Sequence, residues 1–205
     1  MHGTINKIKK IVTKSWKEFN LLTLFTPLML AGGIVLFLLS DSVAHMEGIG
    51  PNTFKVALEN IAFLILVPAI LISYLRFCIE RSLFFLWFTS ILFSLFCREV
   101  HWDWASNGIY VLLILLMFIA IIFYEKLEPQ ISSSAFINLF IAGILCYSIS
   151  NFLLDHNWLQ ISKEYRSDIK FRKSLEEFIE TGGHSIMAMI TLLTPALTSK
   201  KSIKK

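Results

Sequence analysis

GIYVLLILLMFIAIIFY, residues 108–124, decides the fold. It is seventeen residues long and contains no charge, within the range of about 17–25 residues that cross a bilayer as a helix. The rest of the chain follows the same pattern. Hydrophobic residues make up 55% and charged residues 17% of its 205 positions, and mean hydropathy is +0.65, which is too apolar for an ordinary soluble domain of this size.

Working outward, further apolar runs occupy Leu21–Ser40, Phe54–Phe77, Ser82–Cys97, Ala135–Leu154 and Ser174–Leu197, each bounded by charge or turn-forming residues. The sequence therefore predicts an all-α fold, an integral membrane bundle of six transmembrane helices over residues 20–198. A basic interfacial segment, residues 1–19, precedes it and a basic tail, residues 199–205, follows. The first run has full spanning length behind a long lysine-rich stretch, which argues against a cleaved signal peptide. Pro27 and Pro68 fall inside runs and predict kinks rather than breaks.

Two amphipathic patterns flank the crossings. Ile5, Ile8, Val12, Trp16 and Phe19 recur at helical spacing with Lys7, Lys10, Lys14 and Lys17 on the other face, predicting a basic interfacial helix. Trp158, Ile161, Tyr165 and Ile169 repeat the pattern beside Lys163, Arg166 and Lys170, predicting an outer interfacial helix that leads into the last crossing. Lys and Arg cluster at the termini and at Arg76, Arg81 and Lys126, which places both termini in the cytoplasm. The basic loop around Lys163–Lys173 runs against that bias.

Under this topology most acids and four histidines, His45, His101, His156 and His184, share the outer leaflet. Uncharged lengths estimate depth. The sixteen residues from Ser82 to Cys97 reach roughly 24 Å, short of a hydrocarbon core of about 30 Å, which draws Arg98 and Glu99 toward the membrane. The strongly apolar part of the last run, Ile186–Leu197, reaches only about 18 Å, so Glu180 and His184 must lie below the outer surface.

Ionisable groups at such depth are costly and mark a site by default. Glu176, Glu180 and His184 are spaced by four, and Glu177 lies three before Glu180, so these groups share one helical face. Carboxylate oxygens with an imidazole nitrogen suit a divalent transition metal such as zinc. The candidate ligands are Glu99, Glu180, His184, Glu176, Glu59 and Asp103, with Glu177 or His101 as proton carrier. The competing structural reading pairs these acids with Arg98, Arg172 and Lys173, with Glu176 and Glu177 placed favourably at a helix N-terminus. Trp102, Trp104 and Trp158 read as interfacial anchors. Gly182-Gly183 reads as a close helix contact, with Ala31-Gly32-Gly33 as its expected partner.

Several chemistries are excluded. Cys78, Cys97 and Cys146 form no paired ligand spacing or disulfide framework. No phosphate-binding glycine loop is present, and the basic tails lack the context of a nucleic-acid binder, so their expected partner is membrane lipid.

With Arg98-Glu99-Val100-His101 after the third crossing and Glu176-Glu177 with Glu180 in the last, the chain resembles small bacterial multi-pass inner-membrane proteins of uncharacterised function. It is also distantly similar to the alkaline ceramidase superfamily of membrane hydrolases, a resemblance that implies polar residues on several helices around a catalytic zinc. That family's final-helix histidine pair is replaced here by Glu180 and His184 at the same spacing, so no catalytic residue is carried over. The function expected is hydrolysis or group transfer on a lipid or lipid-linked substrate. An ion- or proton-coupled carrier and a non-catalytic assembly subunit are the alternatives, and the inner halves of the crossings show no polar track to favour the carrier.

Overall fold

The computed structural model describes residues 53–100, 106–151 and 169–194, with residues 13, 28, 29, 31–33, 35 and 36. His101, Trp102, Asp103, Trp104, Trp158, the basic tail and both amphipathic segments lie outside the described residues, apart from Thr13 in the first segment and Ile169 and Lys170, which begin the last helix, in the second. Every regular element described is helical. In chain order they are α1 (Thr53–Glu80), α2 (Leu83–Glu99), α3 (Ser106–Ile122), α4 (Tyr124–Ile131), α5 (Ser134–Ser148) and α6 (Ile169–Leu193).

Among the described residues, two stretches are long and apolar enough to cross a membrane, Val56–Glu80 and Ser134–Asn151, and Val111–Ile122 is a shorter apolar helix. Only 28% and 44% of the most apolar parts of these two helices are buried within the molecule. Their other faces, with Leu64, Leu71, Tyr74, Leu75 and Leu145, point outward, as expected of helices whose solvent is hydrocarbon. Pro68 lies inside α1 without ending it. The short α4 was not anticipated. Its polar Glu125, Lys126 and Glu128 separate it from the apolar α3, and the chain turns at Phe123 between them.

α6 packs against α5 on one side and α1 on the other, α1 continues to α2, and α2 to α3, while α4 touches α2, α3 and α5 at one end. Aromatic rings fill the middle. Phe84 stands edge-on to Phe136 at 5.3 Å and stacks on Phe88 at 5.8 Å, geometries that suit the quadrupoles of the rings. Trp87 donates its indole N–H to the Leu116 carbonyl at 2.8 Å, joining α2 to α3.

The turn between α1 and α2 places Arg81 at φ 53, a left-handed conformation that commonly ends helices. Its N–H reaches the Phe77 carbonyl at 2.8 Å. Next to Phe77, Arg76 ties α1 to the C-terminal end of α6, donating to the carbonyls of Thr191 at 2.6 Å and Thr194 at 2.9 Å. It also pairs with Glu80 at 2.6 Å and lies 4.0 Å over the Phe85 ring. A guanidinium here satisfies carbonyls that the helix itself leaves open and favours the negative end of its dipole.

Candidate metal centre

The opposite end of the bundle gathers the acids. Glu99 comes from the last turn of α2, Glu180 and His184 from successive turns of α6, and Tyr147 from the last turn of α5. The four-residue spacing predicted from sequence puts Glu180 and His184 on one face. Glu99 is 9%, Glu180 5% and His184 0% exposed, so all three point into protein rather than to the surroundings. Their ligating atoms lie within 4.8 Å of one another.

His184 sets the geometry. Its Nδ1 is 2.7 Å from the Tyr147 hydroxyl, and its Nε2 is 3.2 Å from Glu99 Oε1. That second contact falls outside hydrogen-bond alignment, leaving Nε2 a buried nitrogen with no hydrogen-bond partner. If Tyr147 donates to Nδ1, the ring hydrogen is on Nε2. If Nδ1–H donates to Tyr147, a bare Nε2 lone pair faces a carboxylate, an arrangement that a cation or a proton between them completes. Two ligands bonded at about 2.0–2.1 Å to a tetrahedral ion stand about 3.3 Å apart, so this pair already has the spacing of a shared metal.

Arg98 forms an ion pair with Glu180 Oε1, realising one of the pairings of the structural reading. Ser150 Oγ is 3.5 Å from both Glu180 Oε2 and the Glu176 carbonyl, at the limit of a hydrogen bond. With both carboxylates ionised and the imidazole neutral, one guanidinium leaves the group at a net charge of −1.

Gly183 permits this close approach. A Cβ there would stand 3.2 Å from Cys146 Cβ and 3.2 Å from the Tyr147 ring, so its missing side chain is what lets α5 bring Tyr147 to His184. The expected contact with Ala31-Gly32-Gly33 is corrected: a Cβ on Gly182, Gly32 or Gly33 would meet nothing within 4 Å. The close partner is α5, because Cys146 and Tyr147 face α6 there.

The predicted residues divide clearly. Glu99, Glu180 and His184 converge. Glu59, Glu176 and Glu177 are half-buried and do not enter the three-residue group, and His101 and Asp103 lie outside the described residues. Sequence reasoning missed Tyr147 and Ser150. The polar run Tyr147-Ser148-Ile149-Ser150-Asn151 closing an apolar segment was the available signal, since it ends in the leaflet assigned to Glu180.

The other end of α6 also gathers polar groups. Arg76, Glu80, Thr191 and Thr194 meet there, with Glu80 Oε2 and Thr194 Oγ1 buried and lacking hydrogen bonds. Ile186, Met187 and Ile190, each at most 3% exposed, separate this group from His184 along the helix. Comparison of the chain with protein-family models, curated proteins and solved structures gives no match.

Proposed function

We propose that the chain is an integral membrane enzyme in which Glu99, Glu180 and His184 hold a divalent transition metal such as zinc, and that it hydrolyses or transfers a group on a lipid or lipid-linked substrate. The reading includes six crossings, both termini in the cytoplasm, and the metal group in the outer half of an inner-membrane bundle. The observation that carries it is the His184 Nε2 atom, held 3.2 Å from Glu99 by a ring whose Nδ1 engages Tyr147. Buried groups in this arrangement are costly unless a cation or proton completes them.

Three protein donors leave an open position, the pattern of a catalytic rather than a structural centre. A metal in such a place polarises a carbonyl or phosphoryl oxygen and lowers the pKa of bound water. In the protein's own part of the chemistry, Tyr147 fixes the imidazole, Arg98 offsets the charge of Glu180, and Glu177 or His101 serves as proton carrier.

Detergent-purified protein incubated with membrane lipids and lipid-linked substrates should form product. That turnover should stop with a chelator and return with zinc or manganese. Chelator-resistant turnover, or none in metal-loaded protein that instead carries protons into vesicles, would contradict it. For topology, a cysteine at Ser106 should label from the side opposite one at Ser202; labelling from the same side would remove the six-crossing arrangement.

A further inference from the structure

We propose that Arg98 and the open position beside Glu99, Glu180 and His184 together bind a phosphoryl group, so that the substrate is a phosphate-bearing lipid rather than a neutral ester or amide. This assignment rests on the metal reading above and names the substrate class of that same site.

Charge decides the class. Arg98 and Glu99 are consecutive residues in the last turn of α2, and the Arg98 guanidinium pairs with Glu180, one of the three converging donors. A divalent ion held by Glu99 and Glu180 takes up the charge of both carboxylates. The guanidinium charge is then surplus, and the group moves from a net −1 to a net +1. Positive charge among side chains so little exposed is costly unless an anion balances it. An ester or amide carbonyl brings no charge. A phosphoryl group brings one, and its oxygens match the planar fork of a guanidinium.

Arg76 shows the contrast at the other end of the bundle. It donates to the carbonyls of Thr191 and Thr194 and pairs with Glu80, partners that belong to no group of converging metal donors, so the fold itself balances its charge. Arg98 instead pairs with a carboxylate that a metal would claim. Its side chain is 20% exposed, against 6% for Glu180, 5% for Glu99 and 0% for His184. The guanidinium is therefore where this group reaches the surface of the molecule, on the path of a ligand that enters from outside. A lipid head group and a soluble phosphate ester share this chemistry. The apolar outward faces of α1 and α5 favour the lipid, whose chains they can contact.

Manganese-loaded protein in detergent, freed of unbound metal, tests the site with inorganic phosphate as probe. The bound ion should broaden the phosphorus-31 resonance of phosphate. Arg98→Gln should weaken phosphate binding, read from that broadening, by about 10–100-fold at equal metal content. Arg98→Lys keeps the charge without the fork, so it should fall between the two, and it decides the matter if Arg98→Gln does not fold. Phosphatidic acid added to the micelles should displace inorganic phosphate, and diacylglycerol should not.

Absent broadening in metal-loaded native protein, or equal broadening in the native protein and the variants, overturns the phosphoryl site and leaves the metal reading standing. Displacement by glycerol phosphate but not by phosphatidic acid overturns the lipid as its source. Protein that takes up no metal overturns both readings, and metal analysis of each sample tells these failures apart.

Discussion

The Tyr147 hydroxyl stands 2.7 Å from Nδ1 of His184, and this contact aims the opposite ring nitrogen at Glu99. A histidine ligand held by its second nitrogen binds metal in a fixed tautomer and orientation. Tyr147→Phe keeps the ring and its packing but removes the oxygen. It should weaken metal affinity by about 10–100-fold while leaving helix content unchanged, as measured by chelator competition and circular dichroism. Native affinity in this variant would remove Tyr147 from the centre.

Arg98 offers a way to separate a metal centre from a helix tie. Its ion pair with Glu180 joins an arginine side chain 20% exposed to a glutamate side chain 6% exposed. Arg98→Gln leaves a nearly buried carboxylate without its partner, a loss of about 3 kcal/mol. On the metal reading the variant should be destabilised in chelator and should recover with added zinc, gaining more from the metal than the native protein does. A thermal midpoint equally low with and without zinc would favour a purely structural pairing.

The adjacent glycines predict opposite outcomes. Gly182→Ala places its methyl in open space and should be neutral, or stabilising by about 0.4–1 kcal/mol through the unfolded chain. Gly183→Ala presses against Cys146 and the Tyr147 ring, so it should displace Tyr147 and lower bound metal. Melting and metal analysis of the two variants side by side test the pair, and equal behaviour would show that the approach of α5 is not what orders the histidine.

The sequence made much of this legible, for identifiable reasons. Period-four spacing placed Glu180 and His184 on one face of a helix, and the structure buries both. Glu99 could be assigned to the same end because it closes the run that began at Ser82. Tyr147 was hidden because a single tyrosine in an apolar helix is ordinary packing, and its contact with His184 spans 37 residues. The role of Gly183 was assigned to the wrong neighbour, since small-residue spacing shows that a helix approaches but not which one. α4 was hidden inside the break after Tyr124, where Pro129 reads as a turn. The Arg76 cap was illegible because its acceptors are backbone carbonyls, which leave no mark in the sequence.

The most direct test of the central claim is the metal content of protein purified without chelator. Native protein should carry about one transition-metal ion per chain, the number that three converging donors on one site provide. Glu99→Gln, Glu180→Gln and His184→Ala should each lose most of it while still inserting into membranes. Metal-free native protein that also fails to take up zinc, iron or manganese, or variants that retain the native amount, would contradict the assignment of Glu99, Glu180 and His184 as ligands.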